Sequence, residues 1–165
     1  MYQVGDNVLY GSHGVCCILD IENKTIGRKK VPYYVLEPMD QLGARYYIPV
    51  QNELAVAKLS KLITVQELNE LLSHAKENSG PWISDETLRK QRYRALINSG
   101  DREALLGMIH ALHQHKQQQA EAGRKFHLCD ENFLRDAEKL LRAEFSLVLG
   151  IPQEQVGAYI TDKMK

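Results

Sequence analysis

His110, His113 and His115 invite a chemical reading first, because imidazoles in an H-x-x-H-x-H pattern are metal ligands elsewhere. On a helix, however, His113 and His115 point about 200° apart, and no carboxylate stands at ligand spacing beside them. A metal site is not expected. Cys16 and Cys17 are neighbours in an apolar run. On a strand they face opposite sides, cannot readily pair with each other, and read as strand cysteines rather than a redox pair. The sequence contains no phosphate-cradling glycine loop, nucleophile elbow or paired-carboxylate motif. Neither an enzyme nor a cofactor is expected.

The remaining functional chemistry is that of binding. Trp82 is the only tryptophan and follows Pro81 directly. An indole is flat and costs little side-chain entropy to fix, so it can lean on bases or wedge a minor-groove step. By itself it reads more readily as a ring packed on its own domain. Arg89, Lys90, Arg92, Arg94 and Arg102 concentrate positive charge in one short segment that holds Asp101 as its acid. Lys90 and Arg94 lie i, i+4, on a face opposite Leu88 and Ala95. Such a pair can straddle phosphates, which position a protein on DNA without reading sequence. Further upstream, Ile21, Asn23 and Thr25 alternate along a strand with Lys24 between them. That pattern suits an exposed sheet edge where a partner strand can add.

These residues need scaffolds, and the chain provides two. Residues 1–59 carry short runs rich in β-branched and aromatic residues: Val8–Tyr10, Val15–Ile21, Val31–Leu36 and Arg45–Val50. Turn clusters at 11–14, 26–30 and 40–43 separate them. Four or five short strands in so few residues suit a small, strongly bent barrel of SH3 or Tudor kind. From Ser60 the period becomes helical. Thr64 and Glu67 form a capping box, Ser84 is placed as the next N-cap, and Ile83 and Leu88 stand at hydrophobic-staple positions. Ser99-Gly100-Asp101 reads as a joint, with Gly100 ending one helix and Asp101 capping another. A bundle of about five helices follows over 60–165, with the candidate DNA-contacting region at 82–102. The fold class is α+β, β first and then α.

Basic and acidic residues balance at 21 each. A protein that coats nucleic acid by charge alone would be strongly basic, so any DNA contact here is local or delivered by a partner. No apolar run approaches the ~20 residues of a membrane span, and the odd cysteine count fits a reduced cytoplasm. With no coiled-coil seam, a monomer is expected.

Val4-Gly5-Asp6-Asn7-Val8-Leu9-Tyr10 followed by His13-Gly14-Val15 resembles the start of the CarD/CdnL transcription regulators, whose N-terminal module also occurs in the transcription-repair coupling factor. Tyr34-Val35-Leu36 and Ile48-Pro49-Val50 fall at the spacings of that family's later strands. Trp82, Arg92-Tyr93-Arg94-Ala95 and Ser99-Gly100-Asp101 are similar to its helical domain. The resemblance covers nearly the whole chain. It implies a Tudor-like barrel docked on the RNA polymerase β subunit by strand-to-strand contact. It also implies a helical domain at the upstream edge of the transcription bubble, touching fork-junction promoter DNA without sequence specificity and stabilising the open complex. In that family a basic residue on the second strand and another near the last strand assist docking. Lys24 stands at the first position; Tyr47 occupies the second, with Arg45 two residues earlier on the same face. The alternative is a protein-only interaction module that never touches DNA.

Overall fold

Alternating apolar and polar residues set up an antiparallel meander in the first half of the chain. The computed structural model describes residues 1–164 and divides them into two units that meet between Leu62 and Ile63. In the first unit β1 (Asn7–Tyr10), β2 (Val15–Ile26), β3 (Lys29–Pro38), β4 (Tyr46–Pro49) and β5 (Leu59–Lys61) form one five-stranded sheet. Their order is β4-β3-β2-β1-β5, so the last strand returns beside the first, the strand order of SH3 and Tudor barrels. A one-turn helix, α1 (Glu53–Val56), precedes β5 and is capped by Asn52, whose side chain accepts from the Ala55 amide.

Two expectations for this unit need correction. The turn cluster at 26–30 shrinks to Gly27-Arg28, because Gly27 adopts φ +65° and closes a tight hairpin, so β2 and β3 run on well past Ile21 and before Val31. The unit also ends later than residue 59: Leu59–Lys61 pair with β1 instead of starting the helical half. A register break between Ile18 and Asp20 leaves Leu19 as the extra residue, which bends β2. Val8, Cys16, Ile18, Tyr34, Leu36 and Ile48 fill the interior. Burying each large side chain stabilises by roughly 1.5–3 kcal/mol. Cys16 is buried and Cys17 half-buried, as their alternation requires.

The second unit contains α2 (Val65–Asn78), α3 (Glu86–Ser99), α4 (Arg102–Glu121), α5 (Leu128–Leu149) and α6 (Gln153–Lys163). The Thr64/Glu67 capping box forms with both of its bonds. Gly100 takes the left-handed conformation and Asp101 caps α4, while Gly150 ends α5 in the same left-handed way. At α3, though, Asp85 and not Ser84 is the N-cap, accepting from the Leu88 amide. This shift by one residue moves Ile83 and Leu88 off the staple positions, and Leu88 is 56% exposed. Leu68, Leu72, Leu105, Ile109, Leu112 and Phe145 form the centre of the bundle. Among the described residues no helix is long and apolar enough to cross a membrane.

Candidate functional sites on the two domains

On the barrel the open edge lies along the outer half of β2. β1 pairs only with Val15–Cys17, extended by Ile18, whose amide donates to the Asp6 carbonyl and whose carbonyl accepts from Gly5. Beyond that, β2 has β3 on one side and no strand on the other among the described residues. The turn is closed by the pair Ile26 and Lys29. In a two-residue hairpin this pair exchanges hydrogen bonds, so Thr25, Asn23 and Ile21 turn their amides and carbonyls away from β3. Pro32 agrees with this register: it lies opposite Asn23, has no N–H, and its carbonyl accepts from the Val50 amide instead. The Ile21 amide is taken by the Asp20 carboxylate at 2.8 Å, which leaves Asn23 and Thr25 as the outward backbone groups.

Lys24 belongs to the face of the sheet turned away from its core. Its ammonium sits 3.4 Å from the Tyr47 ring centroid and 5.5 Å from that of Tyr33. The two positions singled out from sequence are therefore one feature, a cation resting on an aromatic ring. Arg45 does not join it. It binds Glu37, which also accepts from the Gly43 amide at 3.2 Å. The Gly43 amide first, and the Arg45 guanidinium next, hold the Glu37 carboxyl below the usual carboxylate range.

The helical domain sorts the predicted cations differently. Arg89 is only 4% exposed. Its Nε and Nη2 reach the two Asp130 oxygens at 2.9 and 3.1 Å, and Nη1 donates to the Ile83 carbonyl at 3.0 Å. Burial opposes its charge, but the bonds and charge of Asp130 prevail and raise its pKa. Arg102 is likewise engaged: Nε and Nη2 grip Glu144 at 2.6 Å each. Glu144 is 1% exposed and also accepts from the Ile63 amide at 3.0 Å. Both arginines are committed to carboxylates of their own domain, Arg89 inside it and Arg102 partly exposed at its margin, which disfavours a phosphate role for either. The physical reason lies in α5: Asp130, Phe133, Ala137, Leu141 and Glu144 share its inward stripe. A buried carboxylate needs a charged, hydrogen-bonding partner.

Of the other cations, Lys90 pairs with Glu86 at 3.0 Å on the surface, while Arg92 and Arg94 are exposed. Leu88 and Ala95 are exposed too, so the buried row of α3 is Arg89 and Tyr93 rather than the face opposite Lys90 and Arg94. Tyr93 is buried against Phe133, and burial pushes its hydroxyl up to about 12.

Trp82 is half-buried and packs on the helical core. Its ring stacks on His115 at 3.8 Å with 5° between planes, lies edge-on to Tyr93 at 6.5 Å, and carries the Arg89 guanidinium 4.7 Å from its centroid. The imidazole covers one face and the Arg89 guanidinium also lies over the ring, which leaves the ring edge for a partner. His115 in turn faces Phe126 at 6.2 Å, beside the exposed Arg124 and Lys125. This basic pair follows Gly123 in the α4–α5 connection and was missed from sequence because it stands outside the 82–102 segment. His110 meets Ser79 at 2.8 Å and His113 meets Glu138 at 3.0 Å, so the three histidines have three separate partners. Among the described residues no three His, Cys, Asp or Glu side chains gather as metal ligands.

The small bent sheet thus combines an SH3-like strand order with an unpaired β2 edge. Residues 2–63 match the CarD-like/TRCF RID domain family. That match spans the whole sheet, from β1 to β5. The whole chain is similar to YdeB, a proposed transcription factor of Bacillus subtilis (strain 168), with 24% identity covering 96% of this chain and 99% of that protein. The resemblance carried by Val4–Val15 is therefore borne out for the N-terminal domain.

Proposed function

We propose that this CarD-like chain is a non-enzymatic transcription regulator whose barrel docks on the RNA polymerase β subunit while its helical domain touches promoter DNA at the upstream edge of the bubble. The observation that carries the docking half is the open β2 edge. Asn23 and Thr25 offer backbone groups to an added strand, and Lys24 on Tyr47 supplies a positioned cation. Trp82, Arg92 and Arg94 carry the DNA half, joined by Arg124 and Lys125. So few cations give weak autonomous binding, and tethering to polymerase supplies the effective concentration that charge does not. Contact with a melted fork favours the open state over the closed one, which is sufficient to lengthen its lifetime.

Lys24→Glu is expected to reduce co-purification of polymerase with an unchanged fold, and Trp82→Ala to keep co-purification but remove the effect on open-complex lifetime. Undiminished co-purification of Lys24→Glu refutes the docking face. The enclosure of Arg89 and Arg102 in ion pairs favours a second reading, a polymerase-binding module that never touches DNA. Salt-titrated binding to forked promoter DNA with polymerase present separates the two.

A further inference from the structure

We infer that His115 is a positioning residue for Trp82: its imidazole, stacked flat on the indole, sets which edge of that ring the helical domain presents to DNA. The inference rests on the DNA reading of Trp82 given above. Three observations carry it. The two rings are parallel within 5° at 3.8 Å, the closest ring pair in the molecule's described residues. Phe126 lies 6.2 Å from the imidazole and limits its tilt. On the other part of the chain, Arg89 binds the Ile83 carbonyl next to Trp82 and is itself held by Asp130, so the backbone that carries the indole is anchored while His115 orients the ring. Trp82 comes from the α2–α3 connection, His115 from α4 and Arg89 from α3. The ring therefore has no orientation of its own until those elements pack.

The surroundings favour the neutral imidazole. Arg89 from α3 and His127 from the α4–α5 connection face His115 with positive charge or the capacity for it, and Asp130 from α5 opposes them; Tyr93 and Lys116 stand nearby as titratable neighbours. Burial first, then Arg89 and His127, lower its pKa against the pull of Asp130. Above the ordinary histidine value of about 6.5 the ring is neutral and the stack intact. As the pH falls below it, protonation places a second cation beside Arg89 and loosens the stack.

The test uses the full chain, whose single tryptophan makes intrinsic fluorescence a direct report on this ring. Without DNA, His115→Ala is expected to shift Trp82 emission to the red, and wild-type emission to change as the pH falls below neutrality. His115→Phe, which keeps a ring that cannot titrate, is expected to match the wild-type emission at neutral pH and to reduce its change in mild acid. With polymerase and promoter, His115→Ala is expected to shorten open-complex lifetime by roughly two- to tenfold, the factor an aromatic pair is worth, and His115→Phe to restore it. Unshifted emission in His115→Ala overturns the inference whatever DNA does. Shifted emission with an unchanged lifetime also overturns it where Trp82→Ala shortens that lifetime. If Trp82→Ala leaves the lifetime unchanged as well, the DNA reading itself has failed and the inference falls with it.

Discussion

The two domains handle charge in opposite ways. Among the described residues every buried side chain of the barrel is uncharged, and its charged groups lie at the surface. The helical domain draws Arg89, Asp130 and Glu144 inside and engages Arg102 at the margin. A sheet of alternating residues has only two faces, so a charged residue in a small barrel is outside by default. A long helix in a bundle meets several neighbours, and two buried carboxylates on α5 become tolerable because α3 and α4 each deliver an arginine in a forked geometry. The lesson concerns function: in the barrel a cation is a candidate contact, whereas in the bundle it first has to be shown free of the core.

The largest test of this contrast removes an acid from the bundle. Asp130→Ala strands Arg89 in the interior and is expected to cost about 3–5 kcal/mol in denaturant unfolding; a loss within the scatter of surface variants would break the comparison. The barrel should answer to volume instead. Ile18→Val is expected to cost about 0.5–1.5 kcal/mol, while Glu37→Gln, on the exposed Arg45 pair, leaves the unfolding midpoint where it was. Acid should separate the domains further. His110 and His115 both have lowered pKa values, through burial first in each case. Unfolded histidine takes up protons below about 6.5 before the folded rings do, so their stabilisation is complete above that pH and is lost as pH falls. Both belong to the bundle. Trp82 emission should therefore report loosening in mild acid while amide exchange at Ile18 in the barrel stays protected. Alkali acts on both: burial raises Cys16 to about 11 and Tyr93 to about 12, and each contribution fades as pH climbs past the unfolded value. The smallest effect on stability is expected for Arg92→Ala with Arg94→Ala, within about 0.5 kcal/mol. The same pair should flatten the log–log salt slope of fork-DNA binding by about 0.9 for each phosphate it ceases to neutralise, and an unchanged slope would remove these arginines from the interface.

How far the residues announced all this differs between the halves. The alternation of Lys24 against Asn23 and Thr25 was legible from period-2 spacing, although only the strand order makes this stretch an edge. That Lys24 rests on Tyr47 was not, since the two lie on different strands and meet only through β3. In the bundle, Arg89 was read by its charge when its position was the better guide: Asp130 and Glu144 already stood in an apolar stripe at 130, 133, 137, 141 and 144, and each demanded a cation. Ser84 and Asp85 are both good caps, and local chemistry did not choose between them.

The linear chain by itself determined the β-then-α order, the capping box at Thr64, the glycine joint at Gly100 and the strand that carries Lys24, because these depend on backbone preferences and on spacings within one element. Packing alone decided which arginines remain outside and which way Trp82 faces. Those outcomes depend on what three or four separate helices bring to one place, and electrostatic pairing and ring stacking act over a few ångströms between residues that are dozens of positions apart.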